Sequence, residues 1–241
     1  MSGMESKYLK EQVANLFNAP DRVTFRELLQ NTDTEYDELE FKGDYIEDSK
    51  LAKHILAMAN TNGGLIVFGI EEKNNEFNQI GIDMKDVTDV KNSLSNFLPN
   101  NLDYDIHNFS YDDEPEWKKI RNKNFQIIVV EFTPHKIPFL PKKDGKNINE
   151  TDIYCRKNSS SQKVNKEDLE KILNKRTNPV NSLNYVGLET DLKQLELLTS
   201  YLTFPKNLVY SSNPIFMDII KTFIKKKNEL ICKKLRINHN D

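Results

Sequence analysis

An uninterrupted apolar run, Leu65–Ile70, constrains the fold more than any other feature of this sequence. A run with no polar alternation is typical of a strand that is buried on both faces. The preceding segment, Ser49–Asn60, places Leu51, Ile55 and Met58 at helical spacing. A helix leading directly into a buried central strand predicts a sheet that is covered by helices on its faces.

A second strand is predicted over Glu38–Tyr45, because apolar and charged residues alternate there. Side chains in a strand point to opposite faces in turn, so one face of this strand carries Leu39 and Phe41. The other face carries charges, which are Glu38, Glu40 and Lys42. The pattern therefore indicates a half-buried strand with a charged face.

The remaining patterns complete an α/β (α+β) fold with a mixed sheet flanked by helices. We expect a loop up to residue 37 and a polar turn over Glu71–Asn78. The other predicted helices are Glu5–Asn18, Met84–Leu98 and one capped by Asn165, and the other predicted strands are Gln79–Ile82, Tyr104–Tyr111, Phe125–Phe132 and Thr151–Arg156.

The pair Asn178–Pro179 is the predicted domain boundary, because it breaks regular structure. It separates a domain over residues 1–177 from a helical, partly basic extension over residues 178–241. The extension has two helical patterns, the first with Leu188, Leu192, Leu195 and Leu202. The second begins at Asn213–Pro214, a cap followed by proline in the first turn.

Charge is distributed unevenly, although the formal net charge is only -3. The segment 33–48 holds eight acids against one base, and the segment 221–236 holds seven bases against one acid. Bulk charge therefore does not predict a nucleic-acid partner. No apolar stretch approaches the roughly 18 residues of a membrane span, and no signal-peptide pattern is seen. We expect a cytoplasmic protein with no membrane contact.

Several common chemistries are excluded because their motifs are missing. The sequence contains no G-x-x-x-x-G-K-[ST], G-x-G-x-x-G or G-x-S-x-G. Cys155 and Cys232 lie far apart and form no zinc-ligand spacing. The serine run Ser159–Ser161 has no acid–base partner nearby in the sequence, so we do not expect it to act as a nucleophile.

Four segments, in this order, resemble the Schlafen AlbA-2 family, which was once described as a divergent ATP-binding domain. The first is Glu35 with Glu40-Phe41-Lys42, similar to E-S-x-x-x-E-F-K, and the second is residues 57–64, similar to A-x-A-N-T-x-G-G. The third is residues 66–72 with Ile80-Gly81-Ile82, and the fourth is Tyr154-x-Arg156 followed by the serine run. The resemblance covers roughly residues 5–176.

The resemblance implies an acidic site on the charged strand. Schlafen nucleases use two Glu and one Asp, which correspond here to Glu35, Glu40 and Glu72, with Glu71 as an alternate. Converging carboxylates repel one another unless a cation joins them, and Mg²⁺ or Mn²⁺ could then activate water. These residues are therefore the predicted catalytic and metal-binding set. The third position holds Glu, one methylene longer than Asp.

The predicted nucleic-acid contacts are Lys42 on the charged strand, and Arg156 and Lys157, which precede the serine run and offer charge beside hydroxyl donors. Asn60, Gly63 and Gly64 are interpreted as a structural turn that ends a helix.

Three functions stay open on this basis. The leading one is nucleic-acid binding, RNA or DNA, with a regulatory role. The alternatives are a metal-dependent endoribonuclease acting on structured RNA such as tRNA, and a nucleotide (ATP)-binding protein. The family's larger nucleases pair two such lobes, so a homodimer is a further expectation.

Overall fold

The structure is a computed structural model, and it describes residues 13, 16, 20–31, 37–73, 76–113, 115, 117–177, 192, 195–197, 199 and 214–235. The helices are α1 (Arg22–Asn31), α2 (Asp48–Ala59), α3 (Val87–Ser95), α4 (Lys166–Thr177) and α5 (Pro214–Leu235). The strands are β1 (Leu39–Lys42), β2 (Gly64–Phe68), β3 (Ile70–Lys73), β4 (Glu76–Gln79), β5 (Tyr104–Ser110), β6 (Asn124–Val130), β7 (Tyr154–Lys157) and β8 (Ser160–Lys163).

Four strands form a mixed sheet in the order β1-β2-β6-β5. The β1 and β2 strands are parallel, with Leu39 opposite Leu65, and both other pairings are antiparallel. Two parallel neighbours need a crossover connection, which α2 provides. Two separate hairpins, β3–β4 and β7–β8, complete the described strands. The predicted mixed sheet flanked by helices is confirmed.

The apolar run after the glycine pair is the central strand β2, and it is buried along its whole length. Ile66 and Phe68 join the core on the α2 side of the sheet. Leu65 and Val67 join the core on the α1 side. A strand with a core on each face needs apolar residues at every position, which is why the sequence does not alternate there.

Helix α1 was not expected, because residues 19–37, after the predicted helix Glu5–Asn18, were predicted to form a loop. Asp21 precedes this helix, and its carboxylate accepts hydrogen bonds from the backbone N–H groups of Val23 at 2.8 Å and Thr24 at 2.9 Å. Phe25 and Leu28 share the buried face. The cap and the helical spacing are both visible in the sequence, so the loop prediction overlooked a signal that was present.

Two other elements differ from the expected ones. The polar segment predicted as a turn is the β3–β4 hairpin, with Glu72 opposite Phe77. The serine run enters strand β8, where Ser161 pairs with Arg156. Polar hairpins stand at the surface with little apolar alternation, so hydrophobic periodicity does not reveal them.

The chain divides into two compact units, Met1–Val186 and Gly187–Asp241. The predicted boundary at residue 178 stays a prediction. In the second unit, α5 begins at Pro214 as the sequence indicated, and Ile220 and Ile231 are buried. The helix predicted over residues 5–18 and the first predicted helix of the extension lie largely outside the described residues. No helix in the described part of the chain is long and apolar enough to cross a membrane.

Candidate functional site

Glu40 lies on β1 between two residues that face the α1 side of the sheet, so its own side chain faces α2. The residue is only 4% exposed. Its Oε2 lies 2.6 Å from Nη1 of Arg156, and its Oε1 is in contact with Nζ of Lys42. A buried carboxylate is tolerated where cations compensate its charge, and here two cations do so. Glu40, Lys42 and Arg156, with His54 and Ser161 described below, are called the Glu40 cluster.

Arg156 is the buried partner in the Glu40 cluster, with a side chain that is 0% exposed. Its Nε donates to the backbone oxygen of Asp37 at 3.1 Å, and its Nη1 donates to Oγ of Ser161 at 3.3 Å. Its Nη2 is buried and has no hydrogen-bond partner among the described residues. The guanidinium is thus fixed on three sides, and it holds Glu40 at a defined place.

The position of β7, and with it Arg156, depends on the end of α2. Asn60 caps this helix and is fully buried. Its Nδ2 donates to the backbone oxygens of Phe139 at 2.9 Å and Tyr154 at 3.0 Å, and its Oδ1 accepts from the N–H of Phe139 at 2.6 Å. Thr61 Oγ1 accepts from the N–H of Arg156 at 2.8 Å. The Asn-Thr pair therefore links helix α2 to strand β7.

The glycine pair brings backbones together rather than opening a space for a ligand. Gly63 has a φ of +75°, and a Cβ there would lie 2.6 Å from the backbone oxygen of Val130. A Cβ on Gly64 would lie 2.6 Å from the backbone oxygen of Glu38. These contacts let the N–H of Leu65 donate to that same oxygen at 2.8 Å. The pair therefore sets the approach of β2 to β1.

His54 and Ser161 belong to the Glu40 cluster, although neither was predicted as a site residue. Nδ1 of His54 lies 3.0 Å from Oγ of Ser161 and 3.8 Å from Oε1 of Glu40. The expectation that the serine run lacks an acid–base partner is therefore wrong for Ser161, because the β7–β8 pairing brings it to helix α2. In a Ser-His-acid triad the hydroxyl and the acid use different ring nitrogens. Here both approach Nδ1, so the arrangement is not a triad.

Charge in the Glu40 cluster is set by burial and by the cations. Burial alone would raise the pKa of Glu40, but the positive charges of His54 when protonated, Arg156 and Lys42 together hold that pKa below its ordinary value. Burial lowers the pKa of His54 to about 4, because the buried site solvates the imidazolium poorly; Glu40 opposes this shift, and the positive charges of Lys42 and Arg156 add to it. At neutral pH, Glu40 is therefore ionised and His54 is neutral.

The predicted acidic trio does not come together in the described part of the chain. Glu35 lies outside the described residues. Glu72 is exposed and pairs with Phe77, whose ring lies 5.0 Å from that of Phe41. Cross-strand partners share a face, so Glu72 lies on the side of β1 that Phe41 faces, opposite to Glu40. The alternate, Glu71, is exposed beside Gly43.

The donor set around Glu40 does not fit a divalent cation. Both carboxylate oxygens already lie against cations, and bringing a metal ion there would place it beside two positive charges. Within the described ranges, no group of three or more His, Cys, Asp or Glu side chains could hold a metal ion. Binding of Mg²⁺ or Mn²⁺ through Glu35, Glu40 and Glu72 stays a prediction.

The three predicted nucleic-acid contacts differ in exposure. The Lys42 side chain is 21% exposed. Lys157 is 46% exposed, and its Nζ lies 3.5 Å from Oδ1 of Asp168. Arg156 is buried against Glu40, which corrects the expectation that it contacts a ligand directly. Its place before the serine run suggested a loop that contacts a nucleic-acid backbone, and the packing of β7 on helix α2 could not be inferred from that pattern.

The fold and the Glu40 cluster together define an α+β domain in which a charged strand, a helix end and a hairpin meet at one buried ion pair. The sequence model of the family described as Schlafen, AlbA_2 matches residues 35–165, more than half of the chain. The protein belongs to the Schlafen AlbA-2 family. The matched residues include Glu40, Asn60, Arg156 and Ser161.

Other comparisons add little. Among solved structures, the chain is similar to the DIP2311 protein from Corynebacterium diphtheriae, with 18% sequence identity and a TM-score of 0.39. The match covers 58% of this chain and 24% of that one, so this chain corresponds to about a quarter of the other protein's length. Such a distant likeness does not bear on function. Comparison with curated protein sequences finds no match.

Proposed function

We propose that this domain binds the phosphate backbone of nucleic acid along the rim of the Glu40 cluster, with Lys42 and Lys157 as contacts. The observation that supports this most directly is the excess of positive charge around one buried carboxylate. Lys42 and Arg156 both lie against Glu40, and Lys50 is close enough to help lower the pKa of His54. Within the Glu40 cluster itself, Lys42 and Arg156 carry two positive charges against the single negative charge of Glu40. A local surplus of this kind attracts a polyanion.

The β7–β8 hairpin supplies the second contact, Lys157. Asn158 and Ser159 form its two-residue turn with φ values of 50° and 58°, as tight hairpins require. The N–H of Ser159 donates to Oδ1 of Asp37 at 2.6 Å, which fixes the turn against the segment before β1. A lysine on a fixed hairpin can contact a phosphate without the loss of conformational entropy that ordering a flexible loop would require. Arg156 acts in this proposal as a positioning residue.

Neither alternative function gains a specific observation. An endoribonuclease would need a ligand set for Mg²⁺ or Mn²⁺, and within the described residues only Glu40 of the predicted set lies in the cluster. A nucleotide-binding role would need a phosphate loop, and the sequence carries neither standard motif. The regulatory role, the choice between RNA and DNA, the cytoplasmic location and the homodimer stay predictions.

Binding can be measured by fluorescence anisotropy with labelled single-stranded RNA, duplex RNA and duplex DNA of equal length. We expect binding that weakens as salt rises, with Lys42→Ala and Lys157→Ala each reducing the salt slope by about one unit. The matched control is Lys119→Ala. Lys119 is exposed in a loop beside Trp117, which packs on the core of the opposite sheet face.

The proposal is wrong if the wild-type protein binds none of the three probes, or if the Lys119 control loses as much affinity as the two site variants. Adding Mn²⁺ to the same mixtures and running them on a denaturing gel tests the nuclease alternative in parallel. Cleavage that Glu40→Gln abolishes would favour that alternative.

A further inference from the structure

We propose that Glu40 is an internal competitor of the ligand: its carboxylate holds Lys42 in the free protein and releases it to a backbone phosphate of nucleic acid. The Glu40–Lys42 contact would then set the affinity of the site. This inference rests on the proposed function, because it concerns how the same lysine is made available.

The first step is that Lys42 is held in the free protein. Residues 40 and 42 lie on the same face of β1, because they are two positions apart on a strand. The Lys42 ammonium contacts Oε1 of Glu40 and also donates to the backbone oxygen of Phe41 at 3.1 Å. A phosphate must therefore compete with acceptors that the protein itself supplies.

The second step is that the carboxylate can lose Lys42 without becoming an unpaired buried charge. Arg156 approaches the other oxygen, Oε2, at 2.6 Å, and its own side chain is fully buried. It is also held by Asp37 and Ser161. An unpaired buried charge would be strongly destabilising. Because Arg156 keeps compensating Glu40, Lys42 is the cation that can leave at low cost.

The third step is that Lys42 can reach outward. It is the more exposed of the two cations, at 21% against 0% for Arg156. A lysine carries a compact charge with three donors on a flexible stem, so it can exchange one anionic acceptor for another. A phosphate oxygen is an acceptor of the same kind as a carboxylate oxygen. Contact with the polyanion also releases condensed counterions, which favours the exchange at low salt.

The test compares the dissociation constants of wild type, Glu40→Gln, Lys42→Ala and the double variant for the nucleic acid that the wild type binds best. Removing the competing carboxylate should strengthen binding, by about fivefold for a partly exposed pair. In the Lys42→Ala background, Glu40→Gln should change affinity by less than about twofold, because no lysine remains to be released.

The matched control for loss of a negative charge is Glu38→Gln. Glu38 lies at the same end of β1, but its carboxylate accepts from Nδ2 of Asn62 at 3.2 Å. Long-range repulsion of a polyanion would respond alike to both substitutions. The proposal therefore expects Glu38→Gln to strengthen binding by less than about twofold.

Glu40→Gln takes the counter-charge from buried Arg156 and could prevent folding. The variant Glu40→Gln/Arg156→Gln removes the buried pair as a unit, and it should also bind more tightly than wild type. The inference is overturned if the folded variants bind no more tightly than Glu38→Gln, or if the gain persists without Lys42. Failure of the wild type to bind any nucleic acid would instead overturn the proposed function, and this inference with it.

Discussion

The protein presents acidic residues in two contrasting places, the Glu40 cluster and the β3–β4 hairpin. Glu40 is buried and touches two cations, with a neutral imidazole close by. Glu71 and Glu72 are exposed on a two-stranded hairpin. The resemblance assigned Glu40, and either Glu72 or Glu71, to one acidic site, and yet only Glu40 of these three is built into the core. The neighbours of a carboxylate, rather than its place in a motif, decide whether it supports the fold or contacts solvent.

The two places should also differ in how much a substitution lowers the free energy of unfolding. A buried charge depends on its partner, because losing the partner leaves it uncompensated in a medium that solvates it poorly. An exposed charge is already solvated by water, so the loss of its partner changes the free energy of unfolding only slightly. The following predictions use this difference, beginning with the largest expected effect.

Arg156→Met should lower the free energy of unfolding by about 3–5 kcal/mol, because Glu40 would keep only the more exposed Lys42 as a partner. Urea denaturation followed by circular dichroism measures this quantity. Lys157→Met is the matched control, since it removes the adjacent cation of the same strand at an exposed position. A loss below about 1 kcal/mol for Arg156→Met would show that the buried pair contributes no more than a surface pair.

Asn60→Ala should lower the free energy of unfolding by roughly 3 kcal/mol. The substitution leaves the backbone N–H and C=O of Phe139 and the backbone C=O of Tyr154 without their buried partner. It should also loosen β7, which carries Arg156. Hydrogen exchange of the Arg156 amide would report this, and faster exchange is the expected result. Asn62→Ala, next but one in the same turn, serves as the less buried control. Equal losses for both variants would contradict a special role for Asn60.

Stability should fall by about 2 kcal/mol as the pH is lowered from 6.5 to about 5, through His54 alone. Burial lowers the pKa of His54 from 6.5 to about 4. Between those values the unfolded chain binds a proton that the folded protein does not, so acid favours unfolding. Glu40, whose pKa is lowered from 4.5, loses its contribution only at more acid pH.

The measurement is the urea midpoint at several pH values for wild type and His54→Gln. The variant should show a flatter pH dependence across this window. An unchanged slope would mean that His54 titrates in the folded protein as it does in the unfolded chain.

Glu71→Gln and Glu72→Gln should each change the free energy of unfolding by less than about 0.5 kcal/mol, since both side chains are exposed. A loss as large as that of Arg156→Met would erase the contrast between hairpin and cluster. Thermal melts at one pH are sufficient to compare these variants.

Much of the fold was predictable, because apolar periodicity reports burial directly. The β2 run, the alternation of β1 and the helix α2 were predicted with small errors at their ends. The missed elements are α1, the hairpin β3–β4, whose residues 71–78 were predicted as a turn, and the strand β8. The helix had a cap that was overlooked, whereas hairpins such as β7–β8 are defined by strand pairing that leaves little apolar signal.

Most individual residues of the candidate site were predictable from the sequence, but the contacts between their side chains were not. The motifs named Glu40, Lys42, Asn60 and Arg156, and the structure brings all four to one region. The sequence could not show that Arg156 faces inward or that His54 and Ser161 lie beside Glu40. Arg156 and Ser161 lie about a hundred positions or more after Glu40 and His54, and only tertiary packing brings them together.

The central claim is that Glu40 and Arg156 act as one buried pair, and a double-mutant cycle tests it most directly. Unfolding free energies would be measured for wild type, Glu40→Gln, Arg156→Met and the double variant at pH 7. The account predicts a coupling energy of at least about 2 kcal/mol, with the double variant more stable than the sum of the single losses implies. Additive losses, with a coupling energy near zero, would contradict it.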